Sequence, residues 1–154
     1  MMNIIFICTG NTCRSPMAKV IAEDAFKKAG IDASVSSAGV SVYKPSKASD
    51  HAIAAAKTNG LCLRGHKSRR VTDEMLKSAD LILTMTNGHK HYLSDEFPQH
   101  DEKIYTLYEF CAGTDDDIVD PFGGERSDYD GCFGQLNELI KMLTEKLKRE
   151  GKND

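Results

Sequence analysis

Apolar residues fall along this chain in two rhythms, and the alternation between them sketches the fold. Ile4-Ile5-Phe6-Ile7 is a short continuous apolar run, the mark of a strand buried on both faces. Ser15-Pro16 then opens a helical pattern, with Ser15 placed as N-cap and Pro16 in the first turn. Met17, Val20, Ile21 and Ala25 recur at helical spacing up to Ala29, and Gly30 is the stop signal. Ala33 to Ser37 reads as a second strand, ending at Ala38-Gly39. A strand, a helix and a strand within this length imply a parallel pair. After a loop from Val40 to Lys47, Ser49 or Asp50 caps an alanine-rich helix over Ala52–Lys57, ended by Asn59-Gly60. Thr72-Asp73-Glu74 caps a short helix through Leu76, and Leu81–Met85 is a third buried strand. Thr86-Asn87-Gly88 ends that strand, and a helix follows to about Ser94. Lys103–Leu107 is a fourth strand. Last comes a long helix capped by Ser127 or Asp128, with Phe133, Leu136, Leu139, Ile140, Leu143 and Leu147 in one apolar stripe. Its polar end, Lys146 to Asp154, is expected to fray.

The pattern predicts an α/β fold: a three-layer sandwich with a four-stranded parallel sheet, helices on both faces, and a loop after strand one at the carboxyl edge where such sheets bind ligands. The 154 residues suit one domain, 1–154, with no linker or repeat. The first apolar run is too short for a signal peptide or a membrane span, so no membrane partner and a cytoplasmic location are expected. The net charge of −3 gives no reason to propose nucleic acid binding. Five cysteines, Cys8, Cys13, Cys62, Cys111 and Cys132, show no framework spacing and read as thiols.

Chemistry concentrates in the first loop, Cys8-Thr9-Gly10-Asn11-Thr12-Cys13-Arg14-Ser15. Its backbone N–H groups lie between a strand end and a helix start, so they can curl into a nest for an oxyanion such as phosphate. Arg14 can grip two phosphate oxygens with its planar fork. Cys8, facing the same positive potential, is expected to ionise well below the usual thiol range. An activated nucleophile beneath a bound phosphate is a phosphatase site. A second motif, Val119-Asp120-Pro121-Phe122-Gly123-Gly124, forms an exposed turn. Asp120 there suits a proton donor to a leaving group. His89 and His91 invite a metal reading, but no carboxylate or thiol pattern supports them, and both read as surface residues; no metal or cofactor is expected. Arg69 and Arg70 read as part of a solvated basic link, Gly65–Arg70.

The strand–loop–helix with Cys-x5-Arg-Ser, followed late in the chain by Asp-Pro-aromatic, resembles the low-molecular-weight phosphotyrosine-phosphatase family. That resemblance implies Cys8, Arg14 and Asp120 as catalytic residues, phosphorylated proteins as substrates, and a monomer. It implies that Asn11 fixes the loop through side-chain bonds to Ser37 and His66, and that Ser15 serves the Cys8 sulfur. Cys13 becomes a reversible redox partner for Cys8. Within the family, Cys-Thr-Gly-Asn-Thr-Cys-Arg-Ser-Pro with Asp-Pro-Phe-Gly-Gly looks like the bacterial protein-arginine phosphatase branch. The tyrosine-specific branch carries a larger apolar residue at the position of Thr12, so Thr12 and Phe122 are the expected selectors of phosphoarginine. Phosphotyrosine is the alternative substrate. A thiol-dependent arsenate reductase is disfavoured, because Thr84–Glu96 holds no cysteine to pass on a disulfide.

Overall fold

The computed structural model describes residues 1–152. Four strands, β1 (Met2–Cys8), β2 (Ala33–Gly39), β3 (Leu81–Thr84) and β4 (Ile104–Thr106), form one parallel sheet in the order β2-β1-β3-β4. Around it lie α1 (Arg14–Ala29), α2 (Asp50–Thr58), α3 (Asp73–Ser78), α4 (Asn87–Glu96), α5 (Leu107–Ala112) and α6 (Arg126–Lys152). The expected α/β sandwich is therefore the one observed.

Strand periodicity decides which face each residue serves. Ile4, Phe6 and Cys8 point into the larger core, built with α1, α2, α5 and α6. Ile5 and Ile7 point the other way, against Leu76 of α3, Leu93 of α4 and the neighbouring strand residues Ile82 and Ile104. Both faces of β1 are thus covered, which is why its sequence reads as an unbroken apolar run. The stripe on α6 is buried as expected, and Leu136, Ile140 and Leu143 are wholly inaccessible. Each such aliphatic side chain stabilises the fold by roughly 1.5–3 kcal/mol. Among the described residues no helix is long and apolar enough to cross a membrane.

Several boundaries differ from the sequence expectation, each for a local reason. α1 begins at Arg14 with Cys13 at the N-cap and no side-chain cap; Ser15 lies inside the first turn with its hydroxyl engaged elsewhere. α6 begins at Arg126, and Asp128 reaches back from the third helical position to accept the Glu125 N–H at 2.8 Å. The helix continues through Lys152, so the expected fraying from Lys146 is not seen there, and Asn153 and Asp154 lie outside the described residues. β4 stops at Thr106 because Thr106 and Glu109 close a reciprocal capping box that starts α5. A 3₁₀ turn spans Pro98–Lys103, where Lys103 donates to the Leu76 and Ala79 carbonyls instead of joining β4.

Parallel pairing sets the site. Cys8 lies opposite Gly39, and Ile7 opposite Thr84. The last residues of β1, β2 and β3 therefore end together, and the loop after Cys8 emerges from the middle of the sheet's carboxyl edge. Val40 and Ser41 donate to the Cys8 and Thr9 carbonyls at 3.0 Å each, fastening the loop's first turn to the chain leaving β2.

Candidate active site

The loop turns back on itself at Asn11, which adopts a left-handed conformation (φ 55°) and is fully buried. Asparagine tolerates this region better than most residues. The turn aims the Asn11 N–H at the Cys8 sulfur, 3.3 Å away. The Asn11 side-chain amide donates to Ser15 Oγ at 2.7 Å and to Ser37 Oγ at 3.0 Å, and its oxygen accepts the Arg69 N–H at 3.1 Å. Ser15 Oγ lies 2.8 Å from Cys8 Sγ. Because Ser15 accepts from Asn11, its own proton is directed at that sulfur.

Two expectations change here. His66 does serve Asn11, but Nε2 donates to the Asn11 backbone carbonyl at 2.7 Å and not to its side chain. Burial, with Lys19 and Arg69 nearby, holds the imidazole below its ordinary range, while the bond to Asn11 opposes this. Arg69 is exposed, as a solvated basic link predicts, but it also has a role. Its backbone holds Asn11, and its Nε donates to the Ser37 carbonyl at 3.1 Å, tying β2 to the loop. No sequence signal marks its hold on Asn11, since that contact is made by its main chain.

Arg14 is 4% exposed. Its Nη1 donates to the Ile118 carbonyl at 2.9 Å, and its Nη2 lies 3.4 Å from Thr9 Oγ1 and 3.5 Å from Asp120 Oδ2. Ile118 in turn donates to the Met85 carbonyl at the end of β3. The Asp-Pro loop is thereby anchored to both the sheet and the guanidinium. Asp120 itself is half exposed, and its other oxygen accepts the Phe122 N–H at 3.1 Å.

The structure also relocates His89. Far from being a surface residue, it is buried on the first turn of α4, with Nε2 2.8 Å from Thr9 Oγ1 and Nδ1 3.0 Å from Thr86 Oγ1. Burial and the Arg14 charge push its pKa down to about 4, so the imidazole is neutral near pH 7. A Thr86 cap puts His89 at the third helical position, but nothing in the sequence says that this position meets Thr9. His91 is exposed, as expected.

Burial pushes the Cys8 thiol up, while the Ser15 hydroxyl, the Arg14 guanidinium and the Asn11 amide pull it down. Desolvation outweighs the rest, so the thiol is held above its ordinary range and not below it as the loop's charges predict, a balance that spacing alone does not reveal. Cys13 is buried too, with its sulfur 3.4 Å from the Tyr129 hydroxyl, 3.5 Å from Ser49 Oγ and 3.7 Å from Thr12 Oγ1. Among the described residues no buried side-chain nitrogen or oxygen lacks a partner, so the network beneath the loop is closed.

Cys8 to Arg14, Asp120 and Phe122 together line a cavity of about 220 Å³. It is floored by the sulfur and the loop, with the carboxylate and the 74%-exposed phenyl ring at its mouth. A strand-to-helix turn of this kind on a parallel sheet, cysteine at its start and arginine at its end, defines the cysteine-dependent phosphatases. Residues 3–153 match the model of the low molecular weight phosphotyrosine protein phosphatase family, and the chain belongs to that family.

It is 40% identical over 149 residues to a protein-arginine-phosphatase of Bacillus subtilis, covering 97% of this chain and 99% of that protein. It is 35% identical over 147 residues to the low molecular weight protein-tyrosine-phosphatase PtpB of Staphylococcus aureus, covering 92% and 96% of the two chains. Among solved structures it superposes on the YwlE arginine phosphatase, a Cys-to-Ser mutant with a phosphorylated active-site serine. That match has a TM-score of 0.95 at 38% identity and covers 99% of this chain and all of the other.

Proposed function

We propose that this chain, acting as one domain, removes phosphate from phosphoarginine residues of proteins through a phosphocysteine intermediate. Cys8 Sγ attacks phosphorus in line with the departing guanidinium nitrogen. The loop amides and Arg14 hold the three equatorial oxygens as charge spreads over them. The P–N bond breaks, and protonated Asp120 gives its proton to the leaving nitrogen. Asp120, now ionised, takes a proton from water as that water attacks the phosphocysteine, and the sulfur leaves as a thiolate held by Ser15 Oγ. Phosphate and the starting enzyme result.

The observation that carries the arginine reading is the meeting of Thr12, Asp120 and Phe122 around the cavity that Cys8 floors. Thr12 puts a small hydroxyl-bearing wall beside a planar polar group, where a larger apolar side chain would suit an aromatic ring. Asp120 can pair with guanidinium nitrogens, and the Phe122 ring offers a flat wall to the arginine stem. Similarity to the Bacillus subtilis protein-arginine-phosphatase supports the same reading. Phosphotyrosine is the second reading, supported by the similarity to PtpB.

Comparing kcat/KM on phosphoarginine and phosphotyrosine peptides of one sequence tests the choice. A clear preference for phosphoarginine is expected; equal or reversed rates refute it. Cys13 is proposed as the redox partner. Peroxide converts the Cys8 thiolate to a sulfenic acid, Cys13 displaces water to form a disulfide, and an added dithiol reduces it.

A further inference from the structure

Four groups on three separate elements make one hydrogen-bonded chain beside the cavity: Arg14 of α1, Thr9 of the phosphate loop, and His89 and Thr86 at the start of α4. The direction of each bond follows from what the groups can donate. Arg14 has only donors, so Thr9 Oγ1 accepts from Nη2. With one lone pair on the Arg14 donor, Thr9 can give its hydroxyl proton to His89 Nε2 at 2.8 Å. Nε2 is bare in that arrangement, and the proton of the neutral ring sits on Nδ1, donated to Thr86 Oγ1 3.0 Å away. Thr86 Oγ1 also accepts the His89 N–H at 3.1 Å, so the ring is clamped by the helix cap itself.

We propose that His89 is a positioning residue for Arg14: held as the Nδ1–H tautomer, it accepts a hydrogen bond from the Thr9 hydroxyl at Nε2 and so turns the Thr9 lone pairs toward the guanidinium. Besides this, the Ile118 carbonyl holds Nη1 and the half-exposed Asp120 carboxylate lies 3.5 Å from Nη2. With both nitrogens held, the plane of the fork is set before phosphate arrives, and its alignment with the equatorial oxygens requires no rearrangement. Protonating His89 would reverse the chain. Nε2–H would donate to Thr9, whose oxygen would then be shared by two donors with its own proton turned away, weakening its bond to Arg14.

The charged groups around the ring are Arg14 from α1, and Asp117 and Asp120 from the segment leading to α6. The cation disfavours protonation and the two carboxylates favour it. The imidazole is held neutral by its burial together with Arg14. The kinetic consequence rests on the phosphatase reading; the tautomer and the Arg14 contact do not.

Two measurements test the proposal. Long-range ¹H–¹⁵N spectra of the wild-type protein near pH 7 are expected to show His89 protonated on Nδ1 and bare on Nε2. An Nε2–H tautomer, or an imidazolium, overturns the proposal without any variant. On para-nitrophenyl phosphate, His89→Ala is expected to lower kcat about tenfold with KM nearly unchanged. His89→Gln, whose amide oxygen can accept from Thr9, is expected to recover most of that loss. Its kcat should also lack the downturn of the wild type as pH falls toward 4, the value set by His89. Equal losses in both variants, or a shared acid downturn, overturn the positioning role. Failure of the phosphatase reading shows separately, as a wild-type protein that turns over no aryl phosphate.

Discussion

Gly39 offers the sharpest test of how rigidly the loop is built. It ends β2 directly opposite Cys8. Its N–H donates to Arg69 and its carbonyl accepts from Val71, both at 2.9 Å. A Cβ added there would lie 2.5 Å from the Thr9 carbonyl oxygen, 2.8 Å from Val42 Cγ2 and 3.1 Å from the Asn11 nitrogen. Ordinary contact begins at 3.4 Å, so the Thr9 carbonyl must retreat by about 0.9 Å. It cannot do so freely, because the same oxygen accepts the Ser41 N–H at 3.0 Å. Overpacking of this kind costs about 1–3 kcal/mol. For a chain of this size that corresponds to a fall in Tm of roughly 3–9 °C. Displacing the loop by nearly 1 Å should also lower kcat by about 10²-fold. The assay is Gly39→Ala followed by thermal unfolding and by para-nitrophenyl phosphate turnover. Gly134→Ala is the control: this glycine lies within α6 with open space around it, and gaining alanine there should stabilise by about 0.5–1 kcal/mol. A Gly39→Ala protein with wild-type Tm and kcat would refute the reasoning. One that is destabilised but fully active would show that the loop absorbs the shift.

Three further outcomes follow from the same geometry. Ser15→Ala removes the hydroxyl that pulls the Cys8 thiol down, so the midpoint of Cys8 alkylation by iodoacetamide should move to higher pH; an unchanged or lower midpoint contradicts the assigned proton direction. Thr12→Ile should shift the kcat/KM ratio toward phosphotyrosine peptide, and an unaltered ratio would remove Thr12 as selector. The folded His89 pKa of about 4 lies below the ordinary 6.5, so the unfolded chain binds the extra proton between these values. Stability from the neutral ring is therefore complete above about pH 6.5 and is lost as pH falls toward 4, by about 2 kcal/mol between pH 7 and pH 5. Urea unfolding of wild type and His89→Gln at both pH values reads this directly, the variant lacking that loss.

The legible parts of the molecule were those whose signal is local. β1, the Cys-x5-Arg loop, the α6 stripe and the Asp-Pro turn each state themselves within a few residues. Thr106-x-x-Glu109 is a readable capping box that the apolar pattern of Ile104 and Leu107 obscures, so the pattern extends β4 to Leu107 and gives no sign of α5. Ser15 reads both as the cap of α1 and as the donor to the Cys8 sulfur; the second holds and the first does not, because its hydroxyl is engaged by Cys8 and Asn11 inside the first turn. Arg69 and His89 were out of reach for a different reason. One holds Asn11 through its backbone, and the other meets a hydroxyl 80 positions away in sequence. The balance at Cys8 was likewise invisible, since the charges are written in the loop but the desolvation comes from the whole core.

The account turns on the Cys8 sulfur carrying the phosphoryl group. Rapid acid quench of turnover, followed by mass spectrometry of peptides spanning β1 and the loop, tests this most directly. A phosphoryl group on Cys8 is expected, accumulating further in Asp120→Ala with an activated aryl phosphate and absent in Cys8→Ala. Turnover that persists in Cys8→Ala, with phosphorus never found on this residue in the wild type, would contradict it.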